Sequence, residues 1–401
     1  MDPSKTFQHP FEKRIKRHVI GRKQTFFAAT IPGFEPLVDM ELSFLGDPSH
    51  ERNVLPGGVE FKARLEGCYL ANLKLRTAQR ILMRIGRFKA MHFSSLRKKT
   101  AEIPWELLLN PAQRLEIHVT TKHSRLYHSG AVEGCVLAAI KGRLATQGIS
   151  STEAAPDSRT AGIFVRAQDD VFTLSLDSSG TLLHQRGIKP HKAKAPLRET
   201  IAAAALLHAG YDGTVPFLDP MCGSGTFALE AALLARNIPP GWYREFAFMS
   251  WPAFRPRRWA YLKRMIEKEI LPVPPHPIVT ASDIDKRSCT LLEESLRVSR
   301  LEGTVKVLRA DFFDLNPGTI SGGSPGFLAI NPPYGLRMGK RKESDTLFLE
   351  VCKKLQKDFR HWKLALIVPR RHLLYKVPFP LRVHPILHGG LRLSLLTGVI
   401  P

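Results

Sequence analysis

The stretch FLDPMCGSGTFALEAA, residues 217–232, decides how this 401-residue chain is read. Phe217 and Leu218 end an apolar strand that closes on Asp219, a short turn holds Gly223 and Gly225, and an apolar helical pattern opens at Thr226. At the carboxyl edge of a parallel sheet such a turn lets a ligand approach the backbone closely, because glycine has no β-carbon in the way. A lone GxG is weak evidence, since any strand-to-helix turn can carry it. The turn also departs from a dinucleotide fingerprint. It lacks the third glycine of GxGxxG, and no acid ends a second strand about 20 residues on.

Outward from that stretch, further buried strands are expected at IVTASDID, VKVLRAD, FLAINPP and KLALIVP, separated mostly by helical patterns. The alternation predicts a doubly wound, mostly parallel α/β sheet over residues 191–401, closed by an antiparallel hairpin around Gly389-Gly390. Two of these strands end in acids, Asp283 and Asp311, and acids at consecutive strand ends of such a sheet line one crevice. The first is placed to take both ribose hydroxyls of an adenosyl ligand, and the second to accept from an adenine amino group. Alone, either is as well explained as a helix cap. After FLAI comes Asn331-Pro332-Pro333-Tyr334-Gly335. Two prolines cannot donate to a ladder, so the strand must stop and Asn331 must project from its tip. Its amide oxygen and a neighbouring carbonyl can accept both protons of a planar amino group, and the Tyr334 ring can stack on the plane that carries it.

The amino-terminal half reads differently. Residues 1–24 are basic and without apolar periodicity, and are expected to form a flexible arm, with order starting near Thr25. Residues 25–190 mix strand and helix patterns without βα alternation, which makes this region α+β. Within it, residues 67–85 carry apolar side chains at helical spacing. The stretch 186–196 (RGIKPHKAKAP) lacks periodicity and is the candidate domain linker.

Charge narrows the partner. The formal net charge is +23, split as +10 over residues 1–190 and +13 over 191–401, so it is no detachable tail. A solubilising surface would account for it, but an excess so evenly spread favours a polyanionic partner, RNA or DNA. The five cysteines stand singly at 68, 135, 222, 289 and 352, and the 15 histidines sit at no metal-ligand spacing, so neither a disulfide framework nor a metal site is expected. No apolar run approaches the ~18 residues of a membrane span, and the amino terminus has none that could act as a signal peptide. A cytoplasmic location is expected.

Together, the Gly-rich turn, Asp283, Asp311 and the NPPY tetrad resemble a class I S-adenosylmethionine-dependent methyltransferase of the amino-methylating type. More narrowly, DPMCGSGTFALEAALLARNIPPGW and NPPYG are similar to the bacterial 23S rRNA (guanine-N2)-methyltransferases of the L type. In these a Rossmann-like catalytic domain follows an α+β THUMP and ferredoxin-like RNA-binding region. FFAATIPGFEPLVDMELSFLG, GGVEF and PLRETIAAAAL have counterparts there too, so the resemblance covers about residues 25–401. It implies S-adenosyl-L-methionine as cofactor, with Asp219, Cys222, Gly223 and Gly225 at its methionine end. Asp283, ahead of Asp285, would hold the ribose, and Asp311 the adenine amino group with Phe312 against the ring. The helix opening at Pro196 would close the pocket. Asn331 and the Pro332 carbonyl would bind the target amino group under Tyr334, and the target base must be unpaired or flipped out to reach them. The implied partner is RNA, either 23S rRNA or a large-subunit assembly intermediate. One departure stands out: family members usually continue NPPYGE, whereas Leu336 follows Gly335 here.

Residues 236–275 interleave aromatics (Trp242, Tyr243, Phe246, Phe248, Trp251, Phe254, Trp259, Tyr261) with Arg244, Arg255, Arg257 and Arg258. Such a pattern can stack unpaired bases and grip phosphates, although rings of this kind also commonly cover a sheet. Transfer RNA as substrate, adenine-N6 methylation of DNA or RNA, and a non-catalytic RNA-binding assembly factor stay open as alternatives.

Overall fold

The structure, a computed structural model, describes residues 10–45, 51–149, 160–190, 197–333, 341–368, 370–388 and 391–401. The first half contains α1 (Glu12–Ile15), β1 (Gln24–Ala29), α2 (Glu35–Ser43), β2 (Arg52–Leu55), β3 (Gly58–Ala63), α3 (Leu65–Lys74), β4 (Arg80–Lys89), α4 (Phe93–Ala101), β5 (Arg114–Lys122), α5 (Ser129–Thr146), β6 (Thr160–Gln168) and β7 (Val171–Asp177). These strands form one seven-stranded sheet in the order β2-β3-β1-β4-β7-β6-β5, antiparallel except for the β5–β6 pair.

The second half supplies α6 (Glu199–His208), β8 (Phe217–Asp219), α7 (Thr226–Ala235), α8 (Pro256–Glu267), β9 (Val279–Asp283), α9 (Lys286–Ser299), β10 (Val305–Arg309), α10 (Pro317–Ser321), β11 (Phe327–Ile330), α11 (Arg341–Asp358), β12 (Lys363–Val368), β13 (Arg382–His388) and β14 (Leu391–Val399). Its sheet runs β10-β9-β8-β11-β12-β14-β13, with five parallel strands and a closing antiparallel hairpin, as the sequence pattern predicts. Both faces are covered. Phe217, Ala281 and Phe327 enter one apolar core, while Leu218, Leu328 and Leu366 enter another on the opposite face. Burial on both sides is why these strands read as continuous apolar runs. The chain winds outward in both directions from β8 and β11, and a ligand crevice forms outside the carboxyl ends at such a switch point.

Three expectations need correction. The basic arm is not structureless: α1 and a π-helical turn (Lys16–Ile20) cover residues 12–20, with Ile15 and Val19 buried in the first core. Phe11, Ile15 and Val19 recur every four residues, a stripe too short to stand out among the surrounding lysines and arginines. The expected helix over 67–85 stops at Lys74, and residues 80–89 are strand β4, central in the sheet. Ile81, Leu82 and Met83 are buried in succession, so the stretch shows no period of two. The candidate linker is packed through its described part: Arg186 is 2% exposed and Ile188 lies in a core, while residues 191–196 lie outside the described residues.

The aromatic insertion serves the first half as well. Phe246, Phe248 and Trp251 are buried in the first sheet's core, where Tyr69 of α3 stacks on Phe248 at 4.5 Å and meets Trp259 edge-on at 6.0 Å. Arg244 donates to the carbonyls of Ser179, Thr181, Leu182 and Gln185, and burial pushes its guanidinium down to about 10. For these residues the covering role prevails over base stacking. Tyr261, 43% exposed under the Arg258 guanidinium, faces solvent.

Candidate active site

A cavity of about 1260 Å³ opens at the carboxyl ends of β8, β9, β10 and β11. Asp219, Cys222, Gly223, Asp283, Asp311, Phe312 and Asn331 all line it, so residues spread over more than a hundred positions converge on one space. Leu197, at the opening of α6, adds a wall from the domain junction. Among the other expected residues, Pro332 is buried, Gly225 lies beneath the lining, and Tyr334 and Leu336 lie outside the described residues.

The Gly-rich turn is held from two sides. Gly223 adopts φ +51 with open space where a β-carbon would stand, and its N–H donates to Asp283 Oδ2 at 2.8 Å. Gly225 is required for a different reason from ligand approach. At φ +76, a β-carbon there would sit 2.3 Å from Leu292 of α9, so the turn and that helix pack on each other. Asp283 Oδ1 accepts from the Asp285 N–H at 2.9 Å, which leaves the carboxylate braced by two backbone donors and aimed across the cavity. Asp285 instead caps α9 through the N–H groups of Arg287 and Ser288.

Asp219 carries the clearest mark of a ligand site. It is 1% exposed, Ala228 N–H donates to Oδ2 at 3.2 Å, and Oδ1 has no protein partner. Burial, with the nearby Asp283 charge adding to it, pushes the Asp219 carboxyl up to about 8. A buried acceptor without a partner is costly unless a ligand donor satisfies it. The ammonium of an amino-acid moiety is such a donor, so the residues present fit the methionine end of S-adenosylmethionine. Lys189, in a stretch that reads as linker, bonds Thr226 Oγ1 at 2.7 Å and pairs with Glu199 at 2.9 Å. Its ammonium opposes the upward shift of Asp219, and nothing in the local sequence signals this role.

The cavity is apolar at the rim beside Asp283 and Asp311. Ile284 is 65% exposed and Phe313 37% exposed, both lining the cavity next to the two strand-end acids. Phe312 is a core residue, 1% exposed and stacked on Phe359 at 5.8 Å, and only its edge borders the space. Of the two adjacent rings the sequence singles out the buried one. Asp311 Oδ1 accepts from the Phe313 N–H at 3.0 Å, which fixes the carboxylate at the cavity mouth. The Cys222 thiol is pushed well above its usual range by burial and by the flanking Asp219 and Asp283, which disfavours the thiolate. Among the described residues no cluster of three metal-ligating side chains occurs, and no helix is long and apolar enough to cross a membrane.

Comparison with known proteins agrees with this geometry. A family model described as RMKL-like, methyltransferase domain, matches residues 186–377, and one described as RlmL ferredoxin-like domain matches residues 25–82. A putative RNA methyltransferase of Synechocystis is 30% identical over 380 residues, which cover 92% of this chain and 95% of that protein. A ribosomal RNA large subunit methyltransferase K/L of Methylococcus capsulatus is 32% identical over 386 residues, 92% of this chain. The chain spans about half the length of the K/L relatives it matches. The solved structure of a putative methyltransferase complexed with SAH superposes with a TM-score of 0.84 at 26% identity, over 95% of this chain and 99% of that one. A crevice at the switch point of a class I methyltransferase sheet, behind a ferredoxin-like domain, thus places the chain in the RMKL-like methyltransferase family.

Proposed function

We propose that the chain transfers a methyl group from S-adenosyl-L-methionine to the exocyclic N2 amino group of a guanine in 23S rRNA. The observation that carries this reading is the position of Asn331. It directly follows β11 and opens, with Pro333, onto the same cavity as Asp219, Asp283 and Asp311. An amino-binding strand tip therefore faces an adenosyl-type pocket. The relatives named for ribosomal RNA and the net charge of +23 support RNA as the carrier of the target base.

The sulfonium of the cofactor makes its methyl carbon electrophilic, so no strong general base is required. What the chain supplies is alignment. The Asn331 amide oxygen and the Pro332 carbonyl accept the two amino protons and turn the nitrogen lone pair toward the methyl group. Ser344 of α11 donates to the Pro333 carbonyl at 2.9 Å and so ties the strand tip to the following helix. Asp283 and Asp311 hold the ribose and the adenine edge, and Ile284 and Phe313 offer apolar surface to the ring.

Cofactor affinity should depend on pH through Asp219. The ligand's ammonium favours the carboxylate, whereas the ligand-free carboxyl holds its proton up to about pH 8. Binding of S-adenosylhomocysteine should release close to one proton at neutral pH. Affinity should rise with pH, by at most about tenfold per unit, and level off above about 8. In the ligand-free chain the same group contributes stability that is full below the unfolded value of about 4 and is lost as pH rises to about 8. Calorimetry in buffers of different ionisation enthalpy measures the proton count, and a pH-independent affinity would show that Asp219 does not meet the ammonium.

The functional test is methyl transfer from labelled cofactor to ribosomal RNA isolated undermodified. N2-methylguanine should appear in 23S rRNA. Label found only in transfer RNA, only in DNA, or on adenine N6 would defeat the assignment.

A further inference from the structure

Four groups stand in a fixed order at the carboxyl edge of the second sheet. Along β10, β9, β8 and β11 come Asp311, Asp283, Asp219 and Asn331. The first three are the residues that would hold the cofactor, so the ends of β10, β9 and β8 are taken. A base whose amino group meets Asn331 therefore has its ring on the far side, over the end of β12, one strand spacing of ~5 Å away.

A charged trio stands there. β12 pairs with β11 in register, Leu366 beside Ile330, and Arg370 and His372 follow shortly after its last residue, Val368. Asp345 of α11 meets both. Its Oδ1 accepts from the Arg370 guanidinium, and its Oδ2 lies 3.0 Å from His372 Nε2. The neighbours of Asp345 on the helix fix its place. Ser344 donates to the Pro333 carbonyl at 2.9 Å, and Leu347 lines the cavity. The acid thus adjoins the cavity beside the strand tip that carries Asn331, and its side chain is 24% exposed, within reach of a ligand. Tyr375, 81% exposed, stands three residues past His372 on a 3₁₀ turn (Arg371–Lys376) and so on the same side of it, where it offers a flat face next to the trio.

An ionised carboxylate accepts hydrogen bonds and donates none. Three nucleobases carry a planar amino group that Asn331 could take: adenine at N6, cytosine at N4 and guanine at N2. In adenine and cytosine the ring nitrogen next to that group is a bare acceptor, whose lone pair a carboxylate repels. Guanine alone places a ring N–H, at N1, beside its amino group. We propose that Asp345 is the residue that selects guanine, its carboxylate accepting the N1–H of the base whose N2 amino group is bound at Asn331. Arg370 and His372 act as positioning residues that hold this carboxylate. The assignment rests on the functional reading above and adds to it the group that rejects adenine and cytosine.

The test places 2-aminopurine, which keeps the amino group at C2 but has a bare N1, at the methylated position of the ribosomal RNA fragment. The wild type should methylate this RNA at least about 10²-fold less efficiently in kcat/KM than the guanine RNA, because the carboxylate then faces a lone pair. In Asp345→Asn the amide can donate as well as accept, so the ratio should fall to within about tenfold while the affinity for S-adenosylhomocysteine stays unchanged. Arg370→Ala, which removes one holder of the carboxylate, should lower the ratio partway, and Asp345→Glu should keep most of it. A trio that only ties α11 to the end of β12 would affect both RNAs alike and leave the ratio at its wild-type value. A wild type that methylates guanine yet treats the two RNAs alike, or an Asp345→Asn variant with the wild-type ratio, would overturn this proposal and leave the functional reading standing. A wild type that methylates no guanine in RNA would overturn both.

Discussion

Asn331→Ala is expected to lower kcat for methyl transfer by about 10²–10³ while leaving the affinity for S-adenosylhomocysteine within about twofold, in line with the loss of one preorganised polar group at a reacting centre. The residue is only half-buried and follows a strand whose four residues are all buried, so the β11 core does not depend on it. The cofactor-side residues Asp219, Asp283 and Asp311 stand on other strands. What alanine removes is the oxygen that accepts an amino proton and turns the lone pair toward the methyl group. Asn331→Asp keeps an acceptor oxygen and so should retain more activity than Asn331→Ala. Single-turnover rates at saturating RNA, with cofactor binding measured in parallel, distinguish this from a general structural loss, which would move both quantities. Equal activity of Asn331→Ala and wild type would remove Asn331 from the reaction and the amino-group reading with it.

The second sheet was legible because its strands are short, apolar on both faces and closed by residues with a chemical reason to be there. FLD, VTASD and FLAI each end where a polar group must face the crevice, and the structure brings those groups to one cavity. Positions whose meaning is set by distant partners were not legible. Lys189 lies in a stretch without periodicity, and only the fold brings it to Thr226 and Glu199. Phe246, Phe248 and Trp251 sit between two strands of the second sheet yet complete the core of the first, a relation that no local window contains. Phe312 and Phe313 are adjacent and chemically identical, and only the fold, which packs the first against Phe359 in the core, decides that it is inside. Ile15 and Val19 were hidden by their basic neighbours, which the short helix turns to the outside.

The largest expected effect on stability is at Glu230. Its carboxylate is wholly buried and meets Arg186, whose side chain is 1% exposed, at 2.8 Å. Arg186 also donates to the Arg76 carbonyl at 2.7 Å and to the Leu183 carbonyl at 2.8 Å, and Arg76 in turn reaches the Ile238 carbonyl at 2.8 Å. Two guanidinium groups are therefore buried side by side where the sheets meet. Burial and the Arg186 charge both disfavour the charged form of Arg76, against which Glu230 and Glu41 act. Glu230→Ala leaves both cations without their nearest acid, and removing one partner of a buried pair costs about 3–5 kcal/mol. The variant should unfold at a markedly lower urea concentration. It should also bind S-adenosylhomocysteine more weakly, because Arg186 anchors the stretch that carries Lys189 to the cavity. Replacing the pair with apolar residues of similar volume, Arg186→Met with Glu230→Leu, should recover part of the loss, since the desolvation of both charges disappears together with their attraction. If Glu230→Ala unfolds within about 1 kcal/mol of the wild type, water already reaches the pair and the junction is held by packing alone.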